Sequence, residues 1–190
     1  MNSFERKLEE YEINPFTMVI LPVLYEDLIC STVLELEDEI LIPSKPLDIV
    51  KASCSYFGVS YEGRKQGTTH LTDFTHKVPI VVDSANTLYF FPTHSPDNPK
   101  CIWVASKYVF RYERLTAVST LVTFQNKQSI EIPISFTSFG NQMKRTAVLQ
   151  TMVFQRVEET RKAHIYFNRD ERYEKAFEMR TSYWKKQGKK

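Results

Sequence analysis

Gly58 and Gly63 stand at the first spacing of G-x-x-x-x-G-K-[ST], the loop that cradles nucleotide phosphates, and Arg64-Lys65 place two cations directly after them. The chemistry of that loop then fails position by position. Arg64 stands where the phosphate lysine belongs, and Lys65 stands where a Mg²⁺-binding hydroxyl is required. The order of elements fails as well, because a P-loop follows a strand and opens a helix, whereas here an apolar helical period precedes the glycines. Nucleotide hydrolysis is therefore not expected. Gly58, Gly63 and Gly67 are still three of only five glycines in 190 residues. Such crowding predicts a loop needing positive φ or close approach, with Arg64 and Lys65 on it. It is either a solvated surface turn or a contact for the regular phosphates of nucleic acid.

Other reactive side chains fall into no working set. A cysteine nucleophile needs a histidine and an orienting group brought to it, and Cys54 with His70 or His76, or Cys101 with His94, are the pairs available. Cys54 lies on the apolar side of a helical pattern and Cys101 opens an apolar strand, positions where cysteine serves as a small buried hydrophobe. The three cysteines match neither a zinc spacing nor a disulfide framework, and the four histidines include no H-E-x-x-H. No cofactor or metal is implied, and an enzyme is not expected. Aromatic and basic residues do interleave: Tyr108, Phe110, Arg111, Tyr112 and Arg114 share one stretch, and Tyr56 and Tyr61 flank Arg64 and Lys65. That texture suits stacking and phosphate contact together. No zinc finger, RNP motif or clear helix-turn-helix accompanies it.

The elements that must position these residues read as α+β. Residues 16–21 and 31–37 alternate as strands. Pro46 starts a short helix over 46–57, which Gly58 ends. Runs at 78–82, 87–91, 101–105 and 108–114 are β-rich and separated by turn residues, and Val122 and Phe124 approach a hairpin turn from which Ile130, Ile132 and Ile134 return. Asn126 is the residue expected to take positive φ there. From Ser138, a plausible N-cap, the period lengthens: Met143, Ala147, Val148, Thr151, Met152, Phe154 and Val157 form a helical stripe expected to close the open face of the sheet. Lys144, Arg145 and Arg156 decorate that helix, either touching phosphates or only solvating it.

Charge is distributed unevenly behind the net +2. Residues 1–40 carry ten acidic and two basic side chains, residues 41–140 seven and ten, and residues 141–190 six and thirteen. A basic C-terminal third beside an acidic N-terminal arm fits a polyanionic partner, an intramolecular mask, or a simply solvated tail. With no secretory or membrane-spanning pattern at the start, the expected location is the cytoplasm. The expected organisation is a flexible acidic arm over 1–14, an α+β DNA-binding domain over 15–160, and a basic, partly helical regulatory segment over 161–190.

A dense, collinear set of residues makes the chain resemble the ComK competence transcription factors of Gram-positive bacteria. It comprises Lys45-Pro46-Leu47-Asp48-Ile49-Val50, Ser53-Cys54, Gly58, Ser60-Tyr61, Gly63-Arg64-Lys65, Gly67-Thr68, His76-Lys77-x-Pro79-Ile80-x-Val82-Asp83, Phe90-x-Pro92-Thr93, Pro99-x-Cys101-x-Trp103 and Pro133-Ile134-Ser135-x-x-Ser138-Phe139, within a match from about Glu10 to Phe154. The resemblance implies an activator of DNA-uptake genes that binds paired A/T-rich promoter boxes through the minor groove, assembles from dimers up to a tetramer on DNA, and works with RNA polymerase in the nucleoid. Minor-groove readers use arginine and lysine to sense groove width. The candidate DNA contacts are Arg64, Lys65, Lys77, Lys107, Arg111, Arg114, Lys144 and Arg145. The resemblance further implies capture of the C-terminal segment by an adaptor of a Clp protease. The candidate contacts are Ile165, Tyr166 and Phe167, although the family's aromatic-aliphatic-Tyr-Pro patch here lacks its proline. A function class apart from these is a regulatory module that offers its basic face to an acidic protein instead of DNA.

Overall fold

The computed structural model of the chain describes the backbone of residues 6–187 and the side chains of residues 8–162. The short β1 (Arg6–Lys7) is followed by β2 (Thr17–Tyr25), β3 (Leu28–Glu35) and β4 (Glu39–Ile42). Glu26 and Asp27 both take positive φ in the two-residue turn of the β2–β3 hairpin, the backbone that matches the right-handed twist of its strands. Of the acidic arm, Tyr11 and Ile13 are buried, and the Ile13 N–H is bound by Ser53 Oγ at 2.8 Å.

Two helices come next. α1 (Pro46–Tyr56) starts on a proline whose missing N–H costs nothing in the first turn, and ends as expected at Gly58, the one glycine among the described residues with positive φ (78°). The N–H groups of Gly58 and Val59 return to the carbonyls of Ser55 and Cys54, closing the last turn of the helix. The glycine-rich basic loop expected after it is instead a second helix, α2 (Tyr61–Thr72). Ser60 explains the difference: its Oγ accepts the Gly63 N–H at 3.1 Å, so the chain restarts as a helix two residues after Gly58. Gly63 and Gly67 are helical, and a Cβ on Gly67 would meet nothing within 4 Å. Gly67→Ala is accordingly expected to stabilise the protein by about 0.5–1 kcal/mol, read as a raised urea midpoint at constant m-value.

β5 (Ile80–Asp83), β6 (Leu88–Pro92) and β7 (Trp103–Ala105) complete a seven-stranded sheet of order β1-β4-β3-β2-β7-β6-β5, antiparallel except for the β1–β4 pair. α1 and α2 pack on one another, with α1 against β2 and β5 and α2 against β5. A single 3₁₀ turn (Ser106–Tyr108) leads into a second, three-stranded antiparallel sheet of β8 (Val109–Arg114), β9 (Thr120–Phe124) and β10 (Ser129–Ile132). In its β9–β10 turn the positive φ falls on Lys127 (71°), not on Asn126. Asn126 is held otherwise, because its Oδ1 accepts the Gln128 N–H and its Nδ2 donates to the Leu36 carbonyl at 3.0 Å.

α3 (Phe136–Gln187) is the long C-terminal helix, and with it the fold is α+β as expected. Its cap is Ser135, whose Oγ accepts the Ser138 N–H at 3.2 Å, so Ser138 lies inside the first turn rather than before it. The face it buries also differs from the expected stripe. Phe139, Gln142, Thr146 and Leu149 are buried, whereas Phe154 and Val157 are 64% and 54% exposed. The buried face alternates apolar with polar side chains, which is why apolar periodicity pointed to the wrong side. The chain divides into two compact units, Met1–Gln150 and Thr151–Lys190, the second containing the remainder of α3.

Candidate nucleic-acid interface

The candidate cations occupy three places. On α2, Arg64 turns inward: its Nη2 donates to the Val82 carbonyl of β5 at 3.3 Å, and its Nε is buried. Tyr61, buried on the same helix, meets Trp103 edge-on with ring centroids 6.2 Å apart. Arg64 thus ties α2 to the sheet, and Lys65 is the cation that this pair leaves facing solvent. Glu62, Lys65, Gln66, Thr69 and His70 line a shallow hollow on the helix.

The second group lies on the three-stranded sheet and the turn that leads into it. Lys107 Nζ lies 4.8 Å from the Tyr108 ring centroid and within 3.4 Å of the Asn86 carbonyl. Burial lowers its pKa. Arg111 is paired with Glu113 at 3.6 Å, an exposed ion pair worth little in water. Arg114 is exposed at the end of β8, and Phe110 presents a ring that is 75% exposed. Tyr112 points the other way, against Phe136 and Phe139.

The third place lies where α3 meets the loop before β5. Arg145 is committed there: Nη2 donates to the His76 carbonyl at 2.6 Å, Nη1 donates to Gln142 Oε1 at 3.0 Å, and the guanidinium stacks 4.4 Å from the Phe74 ring centroid. Lys144, its neighbour, is exposed, and so is Lys77, held at φ 47°. Sequence reasoning passed over Lys100 and weighed His94 only as a partner for Cys101; the fold brings both here. Burial, and then the nearby ammonium groups of Lys77 and Lys100, press the His94 pKa below its ordinary value. No local spacing announces this convergence, since Lys77 precedes β5 while His94 and Lys100 lie in the connection between β6 and β7. Ile165, Tyr166 and Phe167 fall on α3, with side chains outside those described.

Of the reactive groups weighed from the sequence, Cys54 and Cys101 are buried, whereas His70 and His76 are exposed. Burial pushes the Cys54 thiol up to about 11 and raises that of Cys101, so neither is a thiolate at neutral pH. Among the described residues no cluster of three or more His, Cys, Asp or Glu could hold a metal ion, and no helix is long and apolar enough to cross a membrane.

Residues 8–158 match the family model described as ComK protein. Over 151 residues the chain is 42% identical to the "Competence transcription factor" of Bacillus subtilis (strain 168), an alignment covering 80% of this chain and 79% of that protein. No solved structure matches.

Proposed function

The chain belongs to the ComK family, and from that membership we propose that it is a competence transcription factor that binds duplex DNA and activates DNA-uptake genes. The observation that carries the reading is the 42% identity, spread over four fifths of the chain, to a protein named for that role. In this reading the DNA is A/T-rich promoter duplex, bound by dimers and by tetramers built from them, and met through the minor groove. The solvent-facing cations Lys65, Lys77, Arg114 and Lys144 meet phosphates. Arg64 and Arg145, which donate to carbonyls of the protein, set the surfaces on which their neighbours stand. Lys107 and Arg111 contribute beside the exposed Phe110 ring. Residues 15–160 carry the DNA contacts, and 161–190 carry activation through RNA polymerase and capture by a Clp adaptor at Ile165, Tyr166 and Phe167. The protein works in the cytoplasm, on the nucleoid.

The test is a gel-shift titration on paired A/T-box duplex against a scrambled duplex of equal length, with and without a minor-groove drug. We expect clear preference for the A/T boxes, competition by the drug, and an affinity falling on the order of a thousandfold between 50 and 200 mM salt for about six phosphate contacts. Equal affinity for both duplexes would overturn sequence-specific binding and favour a module for an acidic protein partner. Binding that ignores the drug would overturn the minor groove and point to α2, whose hollow is lined by Lys65, Gln66 and His70.

A further inference from the structure

Two separate stretches of chain, the loop before β5 and the connection between β6 and β7, meet beside the first turns of α3, and hydrogen bonds fix how they meet. The Gln142 amide nitrogen donates to the carbonyl of Lys77 at 3.0 Å and to that of Pro92 at 2.7 Å. One side chain therefore locks the loop before β5 against the end of β6. Two residues on from Pro92 comes His94, whose carbonyl accepts the Cys101 thiol at 3.6 Å. The 95–100 loop is closed by the Cys101 N–H on the Asn98 carbonyl and by the Lys100 N–H on Asn98 Oδ1. Lys77, His94 and Lys100 are brought together in this way although they are separated by 17 and 6 positions.

The chemistry of the three is complementary. The buried Thr93 hydroxyl accepts the Ile102 N–H at 2.9 Å and shares a hydrogen bond with His94 Nδ1 at 3.0 Å, its direction set by the imidazole tautomer. With Nδ1 as the acceptor, His94 carries its proton at Nε2, a donor on a half-buried ring. Lys77 and Lys100 are both exposed, and neither forms an ion pair among the described residues. The one carboxylate of the 95–100 loop, Asp97, lines a hollow beside α1 with Lys45 and Lys51. Two unpaired ammonium groups repel one another in the folded protein, and an anion between them relieves that repulsion. A tetrahedral oxyanion would take both ammonium groups and the imidazole N–H as donors.

We propose that Lys77, His94 and Lys100 form a phosphate cradle that grips a backbone phosphodiester of duplex DNA, setting the junction of α3 with the sheet against the duplex. This rests on the DNA-binding reading above and assigns it two residues, His94 and Lys100, together with a geometry for Lys77. Such a contact fixes register on the DNA and carries no base information.

Fluorescence anisotropy with A/T-box and scrambled duplexes tests it on the full chain. The Lys77→Ala/Lys100→Ala variant is expected to bind roughly thirtyfold more weakly near 0.15 M salt, with the slope of log K against log salt shallower by about 2. Its preference between the two duplexes should be unchanged. A control that removes the same charge elsewhere, Lys51→Ala/Lys127→Ala, should keep the wild-type slope. His94→Gln, which keeps an N–H donor, should bind more tightly than His94→Ala. A wild-type slope and affinity in Lys77→Ala/Lys100→Ala, while the wild-type protein binds A/T boxes, would overturn the cradle alone. Absence of duplex binding by the wild-type protein would overturn the functional reading itself. Thermal stabilisation by inorganic phosphate that is lost in Lys77→Ala/Lys100→Ala, with duplex binding unaffected, would show a free-phosphate site and overturn the phosphodiester.

Discussion

Phe139→Ala is expected to cost about 3–5 kcal/mol of folding stability, a third or more of what a typical domain possesses. The side chain is fully buried, with its ring centroid 5.4 Å from Phe91 of the large sheet and 5.0 Å from Tyr112 of the small one. Gly140 follows it so closely under Tyr112 that a Cβ there would lie 3.3 Å from the hydroxyl. One ring therefore joins both sheets to α3, and truncation opens a cavity that none of the three elements can fill alone. Urea unfolding followed by circular dichroism gives the measurement. The control is Phe154→Ala on the same helix, exposed and expected to stay within about 0.5 kcal/mol of wild type. A loss below 1 kcal/mol for Phe139→Ala would mean that the sheets hold together without it.

Gln142→Ala should be nearly as damaging for a polar residue on a helix, at about 2–4 kcal/mol. It strands the carbonyls of Lys77 and Pro92 and one donor of Arg145, and each buried group left without a partner costs about 1–3 kcal/mol. Gln142→Glu separates packing from hydrogen bonding, because it keeps the volume but replaces two N–H donors by an acceptor facing two carbonyls. We expect it to be no better tolerated than alanine, read as the urea midpoint. Equal stability of wild type and Gln142→Glu would show that the amide is not what ties the loop to β6. In the DNA assay, Gln142→Ala should lose the Lys77 share of the salt slope, about 0.9, while Phe139-independent contacts on β8 persist.

Both residues show where sequence reading reached its limit. β2, β3, β5, β6 and β7 of the large sheet, the helix from Pro46 and its stop at Gly58 were legible because alternation, a proline at N1 and a left-handed glycine act within a few residues, whereas β1 and the short β4 carried no such signal. The segment after Gly58 was misread for an equally local reason. Three glycines resemble a loop, and the decisive fact was one hydroxyl, Ser60 Oγ, on the Gly63 N–H. On α3 the buried face contains Gln142 and Thr146, which no apolar pattern can reveal. Their burial depends on carbonyl partners 65 and 50 residues away for Gln142, and on the preceding turn for Thr146.

The candidate site divides along the same line. Composition and charge described an aromatic-rich chain with a basic C-terminal third, and a collinear set of residues was enough to place it in its family. Whether a given cation faces solvent is not a local property. Arg64 and Arg145 are as basic in the sequence as Lys65 and Lys144, yet they spend their donors on Val82 and His76 carbonyls inside the fold. Lys100 carried no signal, and His94 drew notice only beside Cys101, until Gln142 and the 95–100 loop drew them beside Lys77. Residue type and short-range spacing determined the elements and the family. The tertiary structure decided which charges remain free, because that depends on which distant carbonyls must be satisfied when the chain leaves water.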